Sequence, residues 1–92
     1  MNRIFKYKVV HGQTILLLPK NSKLLSVVEQ YGLPVLYAMV NDEQESMEEI
    51  VVRSFSTGAQ IPEEIANNFD YLGTCLLDNQ TYVIHFFYLK SA

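Results

Sequence analysis

Seven short apolar runs follow one another along the 92 residues, spaced at intervals of roughly ten and separated by turn chemistry. Runs of this length are too short for core helices and, in most cases, carry the period-2 alternation or β-branched content of strands. The chain therefore folds as a mainly β (β-rich α+β) domain. The expected architecture is a small antiparallel sandwich or partly open barrel of about seven strands with one short helix.

The clearest strand signal is Ile4-Phe5-Lys6-Tyr7-Lys8-Val9-Val10, in which Phe5, Tyr7 and Val9 alternate with Ile4, Lys6 and Lys8 and are expected to point inward. His11-Gly12-Gln13 has turn character. Thr14 to Leu18 is a second apolar run, stopped by Pro19, and a hairpin between these two runs is the economical reading. Residues 21 to 34 admit two readings. Asn21 or Ser22 could cap a helix with Leu24, Val28 and Tyr31 on one face, whereas a strand would put Leu25, Val27 and Tyr31 on one side. Leu24 and Val28 break strict alternation, but Val27, Val28 and the Gly32-Leu33-Pro34 turn leading into Val35 to Val40 favour a second hairpin.

Asn41 to Glu49 holds five acids in nine residues and reads as a solvated loop kept extended by like-charge repulsion. Ile50 to Phe55 is again a strand. Ile61, Ile65 and Phe69 then recur at four-residue spacing, with Pro62, Glu63 and Glu64 where a helix start favours them. Tyr71 to Leu77 and Thr81 to Leu89, joined by Asp78-Asn79-Gln80, form a third hairpin. Nearly every position from Tyr82 to Tyr88 is apolar, as in a strand covered on both faces or lying at an oligomer interface. No linker, repeat or low-complexity segment divides the chain, so residues 1–92 are expected to form a single domain.

The net charge is −3, but residues 1 to 28 carry five bases and no acid while the remainder carries ten acids against Arg53 and Lys90. The acidic balance and absence of a basic track argue against a nucleic-acid partner, although six tyrosines and five phenylalanines are present. The single cysteine, Cys75, has no intrachain partner and reads as a small core hydrophobe in a reducing cytoplasm. No secretory signal and no span of bilayer length is present, so no membrane partner is expected.

Chemistry-bearing motifs are sparse. His11 and His85 stand apart from other ligand-type residues at metal-binding intervals, so no metal or cofactor is implied. His85, among aromatics, is expected to be a buried or interface histidine bonded to backbone. No nucleophile elbow occurs, and the adjacent pairs Glu48-Glu49 and Glu63-Glu64 diverge on either regular element, so no catalytic residue is assigned. Ser56-Thr57-Gly58 after a strand offers a turn whose amides could meet a small anionic ligand, nucleotide-like, with Tyr37 or Tyr71 stacking nearby. The aromatic run supplies candidate interface residues Tyr82, Ile84, Phe86 and Tyr88, and the acidic loop supplies Glu45, Glu48 and Glu49.

Read in order, Lys6-Tyr7, Leu17-Leu18-Pro19-Lys20, Leu25-Ser26-Val27, Gly32-Leu33-Pro34, Tyr37-Ala38-Met39-Val40, Thr57-Gly58, Tyr71-Leu72-Gly73-Thr74 and Val83-Ile84-His85-Phe86 resemble a family of small phage and prophage proteins known chiefly as a domain of unknown function. The resemblance extends from about residue 5 to residue 87. It implies a phage or prophage origin and a compact β-rich domain, without an activity, and it tips residues 23 to 31 toward strand. Relatives often place Trp where Tyr37 stands and His where Ala59 stands, which weakens any catalytic or metal role for the Thr57-Gly58 turn. The function expected on this basis is a non-enzymatic binding domain, homo-oligomeric, that acts on a host protein and fits counter-defence. The alternatives are sequestration of a small anionic ligand and a minor virion or assembly role.

Overall fold

In the computed structural model, which describes residues 1–79 and 81–91, seven strands form two antiparallel sheets stacked as a sandwich that does not close into a barrel. Gln80, the last residue of the turn expected before the final strand, lies outside the described residues. The elements in chain order are β1 (Asn2–Lys8), β2 (Gln13–Pro19), β3 (Lys23–Gln30), β4 (Leu33–Asn41), β5 (Met47–Ser56), α1 (Glu63–Asn68), β6 (Asp70–Leu77) and β7 (Tyr82–Lys90). One sheet has the order β1-β4-β3, the other β2-β5-β7-β6.

The β3–β4 and β6–β7 hairpins form as the sequence indicates. The expected β1–β2 hairpin does not. β1 pairs with β4 and β2 with β5, so the chain changes sheets at the His11-Gly12 corner. Ser54 fixes that corner: its amide donates to Gly12 O at 2.9 Å, and its buried hydroxyl accepts from Gly12 N and contacts His11 Nδ1, both at 2.7 Å.

Residues 23 to 30 are strand, and a β-bulge explains their broken alternation. Leu24 pairs with Ala38 and Ser26 with Tyr37, which leaves Leu25 as the extra residue and lets both Leu24 and Val27 face inward. A second register shift falls between Tyr71 and Gly73, where Leu72 is the extra residue. The core between the sheets joins Leu36, Ala38 and Val40 of β4 to Leu18, Ile50, Val52, Ile84 and Phe86 of the facing sheet, all below 3% exposure. Each large aliphatic or aromatic group in it contributes about 1.5–3 kcal/mol by leaving water. Tyr7 and Val9 pack inward as expected, but Phe5, on the open margin of its sheet, stays 44% exposed.

Cys75 is buried in this core, and burial, reinforced by the Glu29 carboxylate, raises its thiol above the ordinary range. Iodoacetamide is expected to leave the native protein unmodified and to label it after urea unfolding. Labelling of the native protein at the unfolded rate would place the thiol outside the core.

The acidic segment is shorter and more ordered than its charge suggests. Only residues 42 to 46 lie between β4 and β5, and Asp42 turns back to accept from Arg3 Nε at 2.5 Å. That guanidinium holds the Asp42 carboxyl below the usual carboxylate range. Glu48 is not a solvated loop residue either. Its side chain is 12% exposed and lies 3.4 Å from Lys90 Nζ, which also donates to the Ser22 carbonyl.

Candidate functional site

β2 stands at the margin of the four-stranded sheet, paired on one side with β5 and, among the described residues, with no strand on the other. Its sequence, Gln-Thr-Ile-Leu-Leu-Leu-Pro, contains no charge. Alternation turns Leu18 to the core and leaves Ile15 and Leu17 54% and 63% exposed on the outer face. A free, uncharged, apolar strand margin offers backbone donors and acceptors in register together with side-chain anchors, the combination that takes up an added strand. β1, the margin of the other sheet, differs: Arg3, Lys6 and Lys8 guard it against such pairing. Beside β2 on the same outer face, Val51 stands opposite Ile15, Glu49 opposite Leu17 and Met47 opposite Pro19.

Farther across this face the odd-numbered residues of β7 face outward, with Phe87 opposite Arg53 and Tyr71, and His85 opposite Phe55 and, beyond the β6 register shift, Thr74. Phe87 meets Tyr71 and Phe55 edge-on at 5.6 and 6.3 Å between ring centres, and the Arg53 guanidinium lies 5.4 Å from the centre of the Phe55 ring. His85 links three elements. Its Nε2 is 2.8 Å from Thr57 Oγ1, its Nδ1 is 3.0 Å from Thr74 Oγ1, and Thr74 is bonded in turn to the Tyr71 hydroxyl. The Thr57–His85 distance matches that of a nucleophile and its base, but the group orienting the imidazole is a hydroxyl. Among the described residues, no carboxylate takes the orienting position it holds in a Ser-His-Asp triad, and the bonds tie the end of β5 to β6 and β7 across the surface.

The segment from residue 57 to residue 69 carries the chain from β5 to β6. β5 ends opposite Ile84 and β6 begins opposite Tyr88, at the other end of β7, and the inner side is filled by the second sheet. α1 lies within this segment, started by Pro62 with Glu63 and Glu64 in its first turn, and Ile65 is its buried residue at 1% exposure. The β2 end of the face is more open than its centre. Phe55 and Phe87 are half-buried, whereas Ile15 and Leu17 are exposed.

The residues singled out from the sequence are distributed unevenly over this geometry. Thr57 and Tyr71 are brought together through His85 and Thr74, while Tyr37 lies on the outer face of the other sheet, bonded to Gln30. His85 finds hydroxyl rather than backbone partners. The Ser56-Thr57-Gly58 turn does not present a row of free amides. Ser56 pairs in the sheet, Thr57 N donates to Val83 O at 3.2 Å and Ala59 N donates to Ser56 O at 3.1 Å across Gly58, whose φ is +88°.

The expected interface set on β7 requires correction. Ile84 and Phe86 are 2% and 0% exposed core residues, and Tyr88 packs against the same cluster. Tyr82, on the same parity at the strand end, remains 59% exposed and lines a concavity with His11 and Leu77. Glu45 and Glu49 are exposed, but only Glu49 stands beside the β2 margin. Ile15 and Leu17 were not singled out from sequence. The available signal was an uncharged run following a strand rich in lysine.

Among the described residues, no helix is long and apolar enough to cross a membrane. The chain belongs to the family described as a domain of unknown function, DUF7352, which matches residues 1–92. No curated protein and no solved structure matches it.

Proposed function

Starting from membership of a family whose description carries no activity, we propose that the domain is a non-catalytic protein-recognition module that docks its partner by taking an extended segment onto β2. The carrying observation is the uncharged free margin of β2 with Ile15 and Leu17 exposed beside it. Main-chain bonds along the strand supply affinity, and the two apolar anchors with Glu49 supply register and selectivity. The resemblance to small phage and prophage proteins supports a bacterial host protein as the target, and blocking a component of host defence fits a chain of this size. The margin is also self-complementary. An antiparallel second copy would pair β2 with β2 and cover both sets of anchors, which is the homo-oligomer this reading includes.

The test uses Ile15→Lys/Leu17→Lys, two outward changes that leave the inward side of β2 and its pairing with β5 in place. Wild-type protein is expected to scatter light as twice the 10.6 kDa chain, and the double variant as a single chain with an unchanged circular dichroism spectrum. A defined host protein captured by the wild type should bind the variant at least about tenfold more weakly. A wild-type monomer that captures the same proteins as the variant would reject the β2 margin as the docking element.

A further inference from the structure

We propose a second binding site, for a small amphipathic anion, in the groove beside the β3–β4 hairpin. The groove encloses about 460 Å³ and is lined by Lys6, Lys8, Val10, Tyr31 and Leu33 over a floor that includes Val9 and Val35. That volume lies within the range of small-molecule sites, about 300–1,000 Å³. The floor residues are buried, at 4% and 8% exposure, while Val10 and Leu33 on the rim are each 58% exposed. The walls are thus apolar and open to solvent, with charge confined to one side.

That charge is unbalanced. Among the described residues, no carboxylate lies within 4 Å of Lys6 or Lys8. Lys6 Nζ donates only a long bond of 3.4 Å, to Gln30 Oε1, which also accepts from the Tyr37 hydroxyl at 3.5 Å. Glu29, the acid closest along the chain, is engaged elsewhere, accepting from Gly32 N at 2.7 Å within the hairpin turn. Two ammonium groups beside an apolar trough complement a ligand with a negatively charged head and an apolar body.

Tyr31 supplies an independent observation. It occupies the first position of a two-residue turn with φ +54°, followed by Gly32 at +81°. Hairpin turns that need this left-handed backbone at both positions favour Asn, Asp or Gly at the first, and a bulky ring there is strained. The ring recovers nothing by packing, since Tyr31 is 95% exposed. A strained and fully exposed aromatic on the rim of a groove points to a contact made when the groove is filled. The ligand class is therefore a soluble amphiphile with a carboxylate-type head held by Lys6 and Lys8 and a body that packs on Val10, Leu33 and the Tyr31 ring. This site is separate from the β2 margin, and either can fail without the other.

Sodium decanoate, titrated below its micelle concentration against labelled full-length protein, tests the site by amide chemical-shift mapping, with decyltrimethylammonium as the charge-inverted probe. Decanoate is expected to give saturable shifts at Lys6 to Val10 and Tyr31 to Leu33, and the cationic probe to leave them in place. Lys6→Gln/Lys8→Gln should weaken decanoate at least about tenfold, the loss of a charged hydrogen-bonding contact. Tyr31→Asn should melt at higher temperature than wild type while binding decanoate more weakly, a combination that a purely structural tyrosine would not give. Absence of saturable shifts in the groove, an equal response to the cationic probe, or unchanged affinity in the double glutamine variant overturns the proposal.

Discussion

Phe86→Ala is expected to cost about 3–5 kcal/mol of folding stability, and Phe87→Ala only about 1–2 kcal/mol. The residues are neighbours on β7 and chemically identical, so the difference measures position alone. Phe86 points between the sheets at 0% exposure and touches the cluster built around Leu36 and Ile50. Its truncation leaves a cavity that two hydrogen-bonded sheets cannot collapse to fill. Phe87 points outward, half-buried, and loses two edge-on ring contacts together with part of its cover. A small domain commonly holds about 5–15 kcal/mol in total, so the first change brings the protein close to unfolding and the second leaves it folded. Urea titration followed by circular dichroism measures both, with equal slopes showing that only stability has changed. Equal losses at the two positions would mean that β7 does not have one buried and one outer face.

The same strand shows where sequence reading stops. The run from Tyr82 to Leu89 is apolar on both parities apart from His85, so it identifies a strand without identifying its inward side. The inward side follows from the partner strands, which place Ile84 opposite Cys75 and Phe86 opposite Ser54. Strand content, the two true hairpins and α1 were legible because each rests on local chemistry: Gly32 after Tyr31, Asp78-Asn79, and Pro62 ahead of Glu63-Glu64 with Ile65 one turn on. The β1–β2 pairing was misread because closeness in sequence is the default for pairing, whereas the Ser54 contacts that carry the chain to the other sheet lie more than forty residues away. The uncharged run of β2 hints at an unguarded strand, but that it ends its sheet is a property of long-range order that local sequence does not carry. Glu48 was misplaced because a run of acids reads as solvated, while the cation that accompanies it inward, Lys90, comes from the far end of the chain.

Gly73→Val is expected to cost about 2–3 kcal/mol, with Gly73→Ala about half as damaging. Gly73 sits on the inward side of β6, where that strand meets β3 at the closest approach of the two sheets. A Cβ at this position would stand 3.0 Å from Val27 Cγ1, 3.3 Å from Val27 O and 3.4 Å from Val27 N. Only the first of these neighbours can rotate aside. The other two are backbone atoms of a strand held by its pairing with β4, where Val27 faces Leu36, so relief requires the sheets to part along this seam. Parting them would loosen Val27 and Cys75, both buried beside it at 3% and 2% exposure. A double-mutant cycle with Val27→Ala separates the two sources of crowding. Removing the Val27 methyls should return about 1 kcal/mol to the valine variant, while the carbonyl and amide contacts keep the remainder of the loss. Full recovery in the double variant would reduce the seam to a contact between side chains, and no loss in Gly73→Val would show that β3 and β6 do not approach as closely as the fold requires.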